Sequence, residues 1–189
     1  MRLALAQINP TVGDLAGNVE LVVRRAHEAH EAGAHLVAFP EMVVTGYPVE
    51  DLALRPSFQD ASRSALEGLA ARLQDEGLGT LVAIVGYLDY AAGTSAALGT
   101  PRGRPQNAAA VITGGRVVAR YAKHHLPNYG VFDEYRYFVP GSGTTVVRVN
   151  GIDVALAICE DLWQEGGPVS EVRAAGAGIL VVILSLIHI

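Results

Sequence analysis

The chain of 189 residues reads as an α/β domain: a mixed sheet, helices outside it, and a second sheet or a partner on its inner side. Three observations predict this. A β-α-β pattern opens the chain, two glycine-turn hairpins fill its second half, and chemically distinctive residues fall at the ends of three separate strands. The length suits one domain with a substantial core. Half the residues are apolar and mean hydropathy is +0.29, which is the composition of a globular chain.

Leu3, Leu5 and Gln7 alternate with small residues and predict a first strand, ended by Asn9-Pro10 and the turn at Gly13-Asp14. Asn18 is placed to cap a helix with Val19, Val22, Val23, Ala26 and Ala29 on one face and Gly33 at its end. Leu36 to Phe39 is the next strand. After the loop Thr45 to Asp51, Ser57 is placed to cap a second helix whose inner face is Phe58, Ala61, Ala65, Leu66, Leu69 and Leu73. Thr80 to Tyr87 follows as a strand of strong β propensity, and Ala91 to Gln106 reads as a long surface loop.

Asn107 to Thr113 and Arg116 to Lys123 form a hairpin about Gly114-Gly115. Thr144 to Val149 and Ile152 to Ile158 form another about Asn150-Gly151, and Asn-Gly is the strongest short hairpin signal. Pro168 to Ala175 reads as a short helix and Ile179 to Ile183 as the last strand. The sequence carries no internal repeat and no inter-domain linker.

Cys159, the only cysteine, closes an apolar strand, Glu41 follows Leu36-Val-Ala-Phe-Pro40, and Lys123 follows Arg116-Val-Val-Ala-Arg-Tyr-Ala122. Alone, each has an ordinary explanation: a small core residue, a loop acid, a solvated lysine. Together, a thiol, a carboxylate and an ammonium at three strand ends can converge on one rim of a sheet, where open α/β folds place their chemistry.

The formal charge of -5, from 14 basic and 19 acidic residues with no basic run longer than Arg24-Arg25, argues against nucleic acid or an anionic membrane as partner. A single cysteine excludes an internal disulfide and points to a cytoplasmic setting. No secretory signal opens the chain, and the apolar run from Ala177 to Ile187 is shorter than the roughly 20 residues that span a bilayer. A soluble protein is expected. His124 and His125 invite a metal assignment, but neighbours in an extended segment point to opposite faces, so no metal site is expected. Trp163 and Tyr47 are expected as pocket wall or core.

The segments Phe39-Pro40-Glu41, Lys123-His-His-Leu-Pro-Asn-Tyr-Gly-Val-Phe-Asp-Glu-Tyr-Arg-Tyr-Phe138 and Cys159-Glu-Asp-Leu-Trp163 resemble the nitrilase superfamily. The start Ala6 to Asp14, the Leu-Pro-Asn-Tyr-Gly130 loop and the Cys-Glu-Asp-Leu-Trp motif resemble, within it, the glutaminase domains of glutamine-dependent NAD synthetases. The resemblance implies an α-β-β-α four-layer sandwich and a Glu-Lys-Cys triad of Glu41, Lys123 and Cys159. It also implies Glu134 as the glutamate supporting the lysine and Tyr129 as a residue that helps bind glutamine. The expected chemistry is hydrolysis of the glutamine side-chain amide through a Cys thioester, with Lys123 and the backbone N–H of Glu160 facing the oxyanion.

In such a family the ammonia passes to a C-terminal synthetase domain that uses ATP and Mg to amidate nicotinic acid adenine dinucleotide. No phosphate-cradling glycine loop follows a strand here, so no cofactor is expected in this chain. The partners implied are glutamine, that synthetase domain and, at full length, further copies in a homo-oligomer. The expected domain is an incomplete hydrolase over residues 1–182. The segment Ile183-Leu-Ser-Leu-Ile-His-Ile189 departs from the family pattern, reads as an atypical, aggregation-prone tail, and does not carry over the pocket role of a serine to Ser185. Two alternatives stand beside this: a free-standing amidase or carbamoylase acting on another small amide, and an inactive fragment.

Overall fold

A computed structural model of the chain describes residues 1–92, 99–101 and 103–185. One sheet has five strands in spatial order: β1 (Leu3–Leu5), β2 (Leu36–Ala38), β3 (Val82–Tyr90), β4 (Pro105–Thr113) and β5 (Arg116–Ala122). β1, β2 and β3 are parallel, and β3, β4 and β5 form an antiparallel meander. A second sheet pairs β6 (Val146–Val149) antiparallel to β7 (Ile152–Ile158), with β8 (Ile179–Ile183) parallel to β7.

The parallel strands are joined by α1 (Leu15–Glu31) and α2 (Pro56–Asp75), which cover the outer face of the five-stranded sheet. Val22, Val23, Ala26 and Ala29 of α1 and Leu66, Leu69 and Leu73 of α2 bury their helical stripes against Val37, Phe39, Ala83 and Val85. The alternate residues of the same strands, Leu36, Ala38 and Ile84, with Val111 and Tyr121, meet Val154, Leu156, Ile158, Val181 and Ile183 of the second sheet. The strand period of two thus makes three layers, helix, sheet and sheet. Among the described residues the only α-helix after β7 is the short one at Gly167–Glu171, and Leu180 and Val182 on the other side of β8 remain half-buried.

Both hairpins turn as expected, with left-handed pairs at Gly114-Gly115 (φ 58° and 74°) and Asn150-Gly151 (φ 47° and 79°). Both helix caps differ from expectation. Asp14 caps α1 by accepting from Gly17 N at 2.9 Å. Asn18 lies inside the helix, where its amide bonds the backbone of Thr11 and, at 3.1 Å, the carbonyl of Val44. A buried amide finds more partners across a loop crossing than at a solvated helix end, so Asn18 pins the loop after β2 onto α1. Ser57 does not cap α2 either, because Pro56 takes the first helical position, where its missing N–H costs nothing.

β3 runs on to Tyr90 and β4 starts at Pro105, so the expected loop between them is shorter at its second end; residues 93–98 and 102 lie outside the described residues. At the other end, Ile183 pairs with Ile158 and is buried, so the first of the residues assigned to an atypical tail completes the sheet. Residues 186–189 of that tail lie outside the described residues. No helix among the described residues is long and apolar enough to cross a membrane.

Candidate active site

β2 and β5 run in the same direction, and β7 packs against their sheet, so the three strand exits share one rim. Lys123, the first residue beyond β5, donates through Nζ to Glu41 Oε1 at 2.7 Å and to Glu134 Oε1 at 2.9 Å. Glu134 opens the short helix α3 (Glu134–Tyr137). Glu41 and Lys123 are 1% exposed and Glu134 is 2% exposed, so water cannot compensate these charges and each depends on the others.

Burial alone would lower the Lys123 ammonium, but Glu41 and then Glu134 outweigh it and hold the group charged beyond the ordinary lysine range. Burial raises the Glu134 carboxyl, with Lys123 opposing and Glu41 adding to the rise. Tyr47 OH donates to Glu134 Oε1 at 2.9 Å, and burial followed by the Glu134 charge keeps that phenol firmly protonated. A second donor reaches Glu41 Oε1 from Asn107 Nδ2 at 2.7 Å, and Glu41 Oε2 accepts from Ser185 N at 3.0 Å.

The loop carrying Glu41 lies directly on β3. A Cβ at Gly86 would overlap backbone atoms of Pro40, Glu41 and Met42, so glycine is required there by close approach, not by φ. Gly86→Ala is expected to destabilise the chain by roughly 1–3 kcal/mol in urea unfolding. A variant as stable as the native chain would mean that the Glu41 loop does not rest on this strand.

Cys159 begins a single 3-10 turn, Cys159–Leu162, directly after β7, and takes a left-handed φ of 46°. That conformation, costing a non-glycine residue roughly 1–2 kcal/mol, turns the thiol out of the strand line. Burial and then Glu41 push the half-buried thiol up to about 12; Lys123 pulls it back, while Glu134 and Glu160 add to the rise. The direction is opposite to that of a standing thiolate. Reaction at this sulfur therefore needs a base at hand, and Glu41 is the carboxylate that weighs most on it.

Beside the thiol, Glu160 is 4% exposed, and its carboxylate accepts from Tyr129 OH and Gln164 Nε2, both at 2.7 Å. Tyr129 itself is exposed on the rim. A further buried carboxylate thus stands beside the thiol, with Glu41, Glu134 and the Lys123 ammonium also acting on it.

The carbon-nitrogen hydrolase family matches residues 2–188. The chain belongs to the carbon-nitrogen hydrolase family. It is 38% identical over 179 residues to the glutamine-dependent NAD(+) synthetase of Thermotoga maritima, covering 95% of this chain and 28% of that relative. The chain thus spans under a third of the length of the curated relatives it matches. The structure of glutamine-dependent NAD+ synthetase from Acinetobacter baumannii with ADP superposes with a TM-score of 0.83 at 32% identity, over 99% of this chain and 32% of that one. An amidase from Nesterenkonia sp. superposes with a TM-score of 0.75 at 28% identity, over 98% of this chain and 65% of that one. The architecture is the α/β sandwich of the nitrilase superfamily.

All six site residues expected of this carbon-nitrogen hydrolase fall in one region, but four groups were not anticipated. Tyr47, expected as pocket wall or core, does line a cavity and pack on the core, but its hydroxyl also bonds Glu134. Asn107 of β4 and the backbone of Ser185 hold Glu41, and the buried Asp161 gathers donors from three segments. The Glu160 side chain, and not its backbone alone, bears on the thiol. Trp163 is largely exposed. The rings of His124 and His125 lie edge to face with centroids 4.6 Å apart, not on opposite sides, because residues 123–128 lie beyond β5 and do not follow strand alternation. No group of three His, Cys, Asp or Glu residues among the described residues is placed to hold a metal ion.

Proposed function

We propose that this carbon-nitrogen hydrolase chain hydrolyses the side-chain amide of glutamine and supplies ammonia to an NAD synthetase domain. The observation that carries the reading is the buried Lys123 bridge between Glu41 and Glu134 at the rim that also holds the Cys159 turn. Glu41 takes the thiol proton as Sγ attacks the amide carbon. The developing oxyanion faces the Lys123 ammonium and the backbone N–H of Glu160, a stabilisation of about 3 kcal/mol per donor. Glu41 then returns the proton to the departing nitrogen, the C–N bond breaks, and ammonia leaves a thioester. Water gives a proton to the same carboxylate, attacks the thioester, and releases glutamate and the free thiol.

Glu134 keeps Lys123 in place and charged. Tyr129 and Gln164 fix the Glu160 carboxylate for the α-ammonium of glutamine, which a simple aliphatic amide lacks. No redox change and no nucleotide enters these steps, so ATP and Mg belong to the synthetase portion. The relatives' names and their greater length support that assignment. A mechanism needing a free thiol suits the cytoplasm.

The test is ammonia release from glutamine and from a simple aliphatic amide. Turnover of glutamine is expected, with Glu160→Gln raising KM for glutamine about tenfold or more through loss of a charge-assisted bond and changing the aliphatic amide little. A second reading, a free-standing amidase, draws on the similarity to the Nesterenkonia enzyme. Faster cleavage of the aliphatic amide than of glutamine would favour it and overturn the first.

A further inference from the structure

We infer that Asp161 is a positioning residue that ties the exit of the lysine strand to the cysteine turn and so sets the approach of Cys159 to Glu41 and Lys123. The inference rests on the reading of Cys159 as nucleophile. Asp161 is fully buried, and both of its carboxylate oxygens are doubly engaged. Oδ1 accepts from the backbone N–H of His124 at 3.0 Å and of His125 at 2.7 Å, the two residues that follow Lys123. Oδ2 accepts from Ile158 N at 3.2 Å, the residue before Cys159, and from Tyr121 OH at 2.7 Å, two residues before Lys123.

The carboxylate thus brackets both reacting groups in the chain. Residues on either side of Lys123 and the residue before Cys159 hang from one side chain, itself two positions beyond the thiol. Charge-assisted bonds of this kind are stronger than neutral ones, and burial removes competition from water. They also offset the strain of the left-handed Cys159, since the turn cannot relax without stripping Ile158 N–H of its partner.

An amide cannot replace this carboxylate, because it has one acceptor oxygen where four donors converge. In Asp161→Asn, an oxygen facing the two histidine N–H groups puts Nδ2 against Ile158 N–H, donor to donor. The reverse orientation sets Nδ2 against His124 and His125. Either way the link between the lysine exit and the cysteine turn is cut, while the size of the side chain is kept.

The experiment is the pH profile of Cys159 alkylation by iodoacetamide, which needs no glutamine, with folding followed by near-UV circular dichroism. In the native chain the rate should show no levelling near the ordinary thiol midpoint, in keeping with a thiol held protonated by its surroundings. In Asp161→Asn the turn relaxes toward solvent, and the profile is expected to level with a midpoint near about 8.5, that of a free cysteine. A folded Asp161→Asn with the native profile would overturn the proposal, as would a free-cysteine midpoint in the native chain. Should Asp161→Asn fail to fold, Tyr121→Phe decides: it removes one donor of four and is expected to move the profile part of the way, and an unmoved profile overturns the proposal. Ammonia release from glutamine is measured on the same native preparation. Its absence, with the alkylation difference intact, would remove the substrate and leave the positioning role standing.

Discussion

Cys159→Ala is expected to abolish amide hydrolysis, with a loss on the order of 10⁴-fold or more and a fold that survives. The rest of the site would remain: Lys123 between its two carboxylates, and Glu160 held by Tyr129 and Gln164. In the proposed mechanism these groups would stabilise an oxyanion but could not form the thioester, so the two-step route would be closed. The same position also tests the backbone. Alanine keeps the Cβ that makes φ 46° costly, whereas glycine removes it. Cys159→Gly should therefore be equally inactive yet more stable than Cys159→Ala by about 1 kcal/mol in urea unfolding. If alanine proved the more stable of the two, the left-handed turn would be wrong. Residual hydrolysis within tenfold of the native rate would exclude covalent catalysis at this sulfur.

Lys123→Met is expected to cost both stability and activity. It leaves two carboxylates, each almost wholly shielded from water, facing one another without their shared cation. Removing one partner of a buried ion group typically costs about 3–5 kcal/mol, because the remaining charge is neither hydrated nor paired. In the variant Glu134, already raised by burial, loses the ammonium that opposes the rise and gains a proton more readily in the folded than in the unfolded chain. Its folded pKa is thus raised, and the penalty is largest above the folded value and shrinks as pH falls toward the unfolded one. Unfolding at about pH 8 should show the full loss and at about pH 5 a smaller one. Adding Glu134→Gln to Lys123→Met should restore part of the stability at the higher pH. Activity should fall by about 10²–10³-fold through loss of the oxyanion donor, even at the pH where the fold is most secure. Equal stability of variant and native chain at high pH would mean that Lys123 does not bridge Glu41 and Glu134.

The direction of the Cys159 thiol shows where reading along the chain falls short. The motif sets a thiol near an ammonium and carboxylates but does not say which outweighs the other. The thiol is held protonated, because burial and three carboxylates outweigh one ammonium that is already shared between two of them. Counting charges in a motif does not reveal that sharing. Asn18 and Ser57 teach the same point for helix caps: both have the right chemistry at a plausible spot, yet a loop crossing claimed one and a neighbouring proline displaced the other. Asn107 lay in plain view at the start of an expected hairpin, but nothing local marks a strand asparagine as the second donor to a glutamate 66 residues earlier.

What the sequence determined by itself is what depends on short range. Alternation within strands, the Gly-Gly and Asn-Gly turns and the apolar helix stripes fix the elements, and through them the common rim for Glu41, Lys123 and Cys159. Motif resemblance added Glu134, Tyr129 and Glu160. The tertiary structure alone decided that the Cys159 thiol is pushed up, which oxygen bonds which donor, that Tyr47 and Asn107 bond the buried glutamates while Asp161 bonds both strand exits, and that Gly86 leaves room for the Glu41 loop. The physical reason is that hydrogen bonding and desolvation act between neighbours in space. In this chain those neighbours lie tens of residues apart, as Lys123 and Glu41 do at a separation of 82.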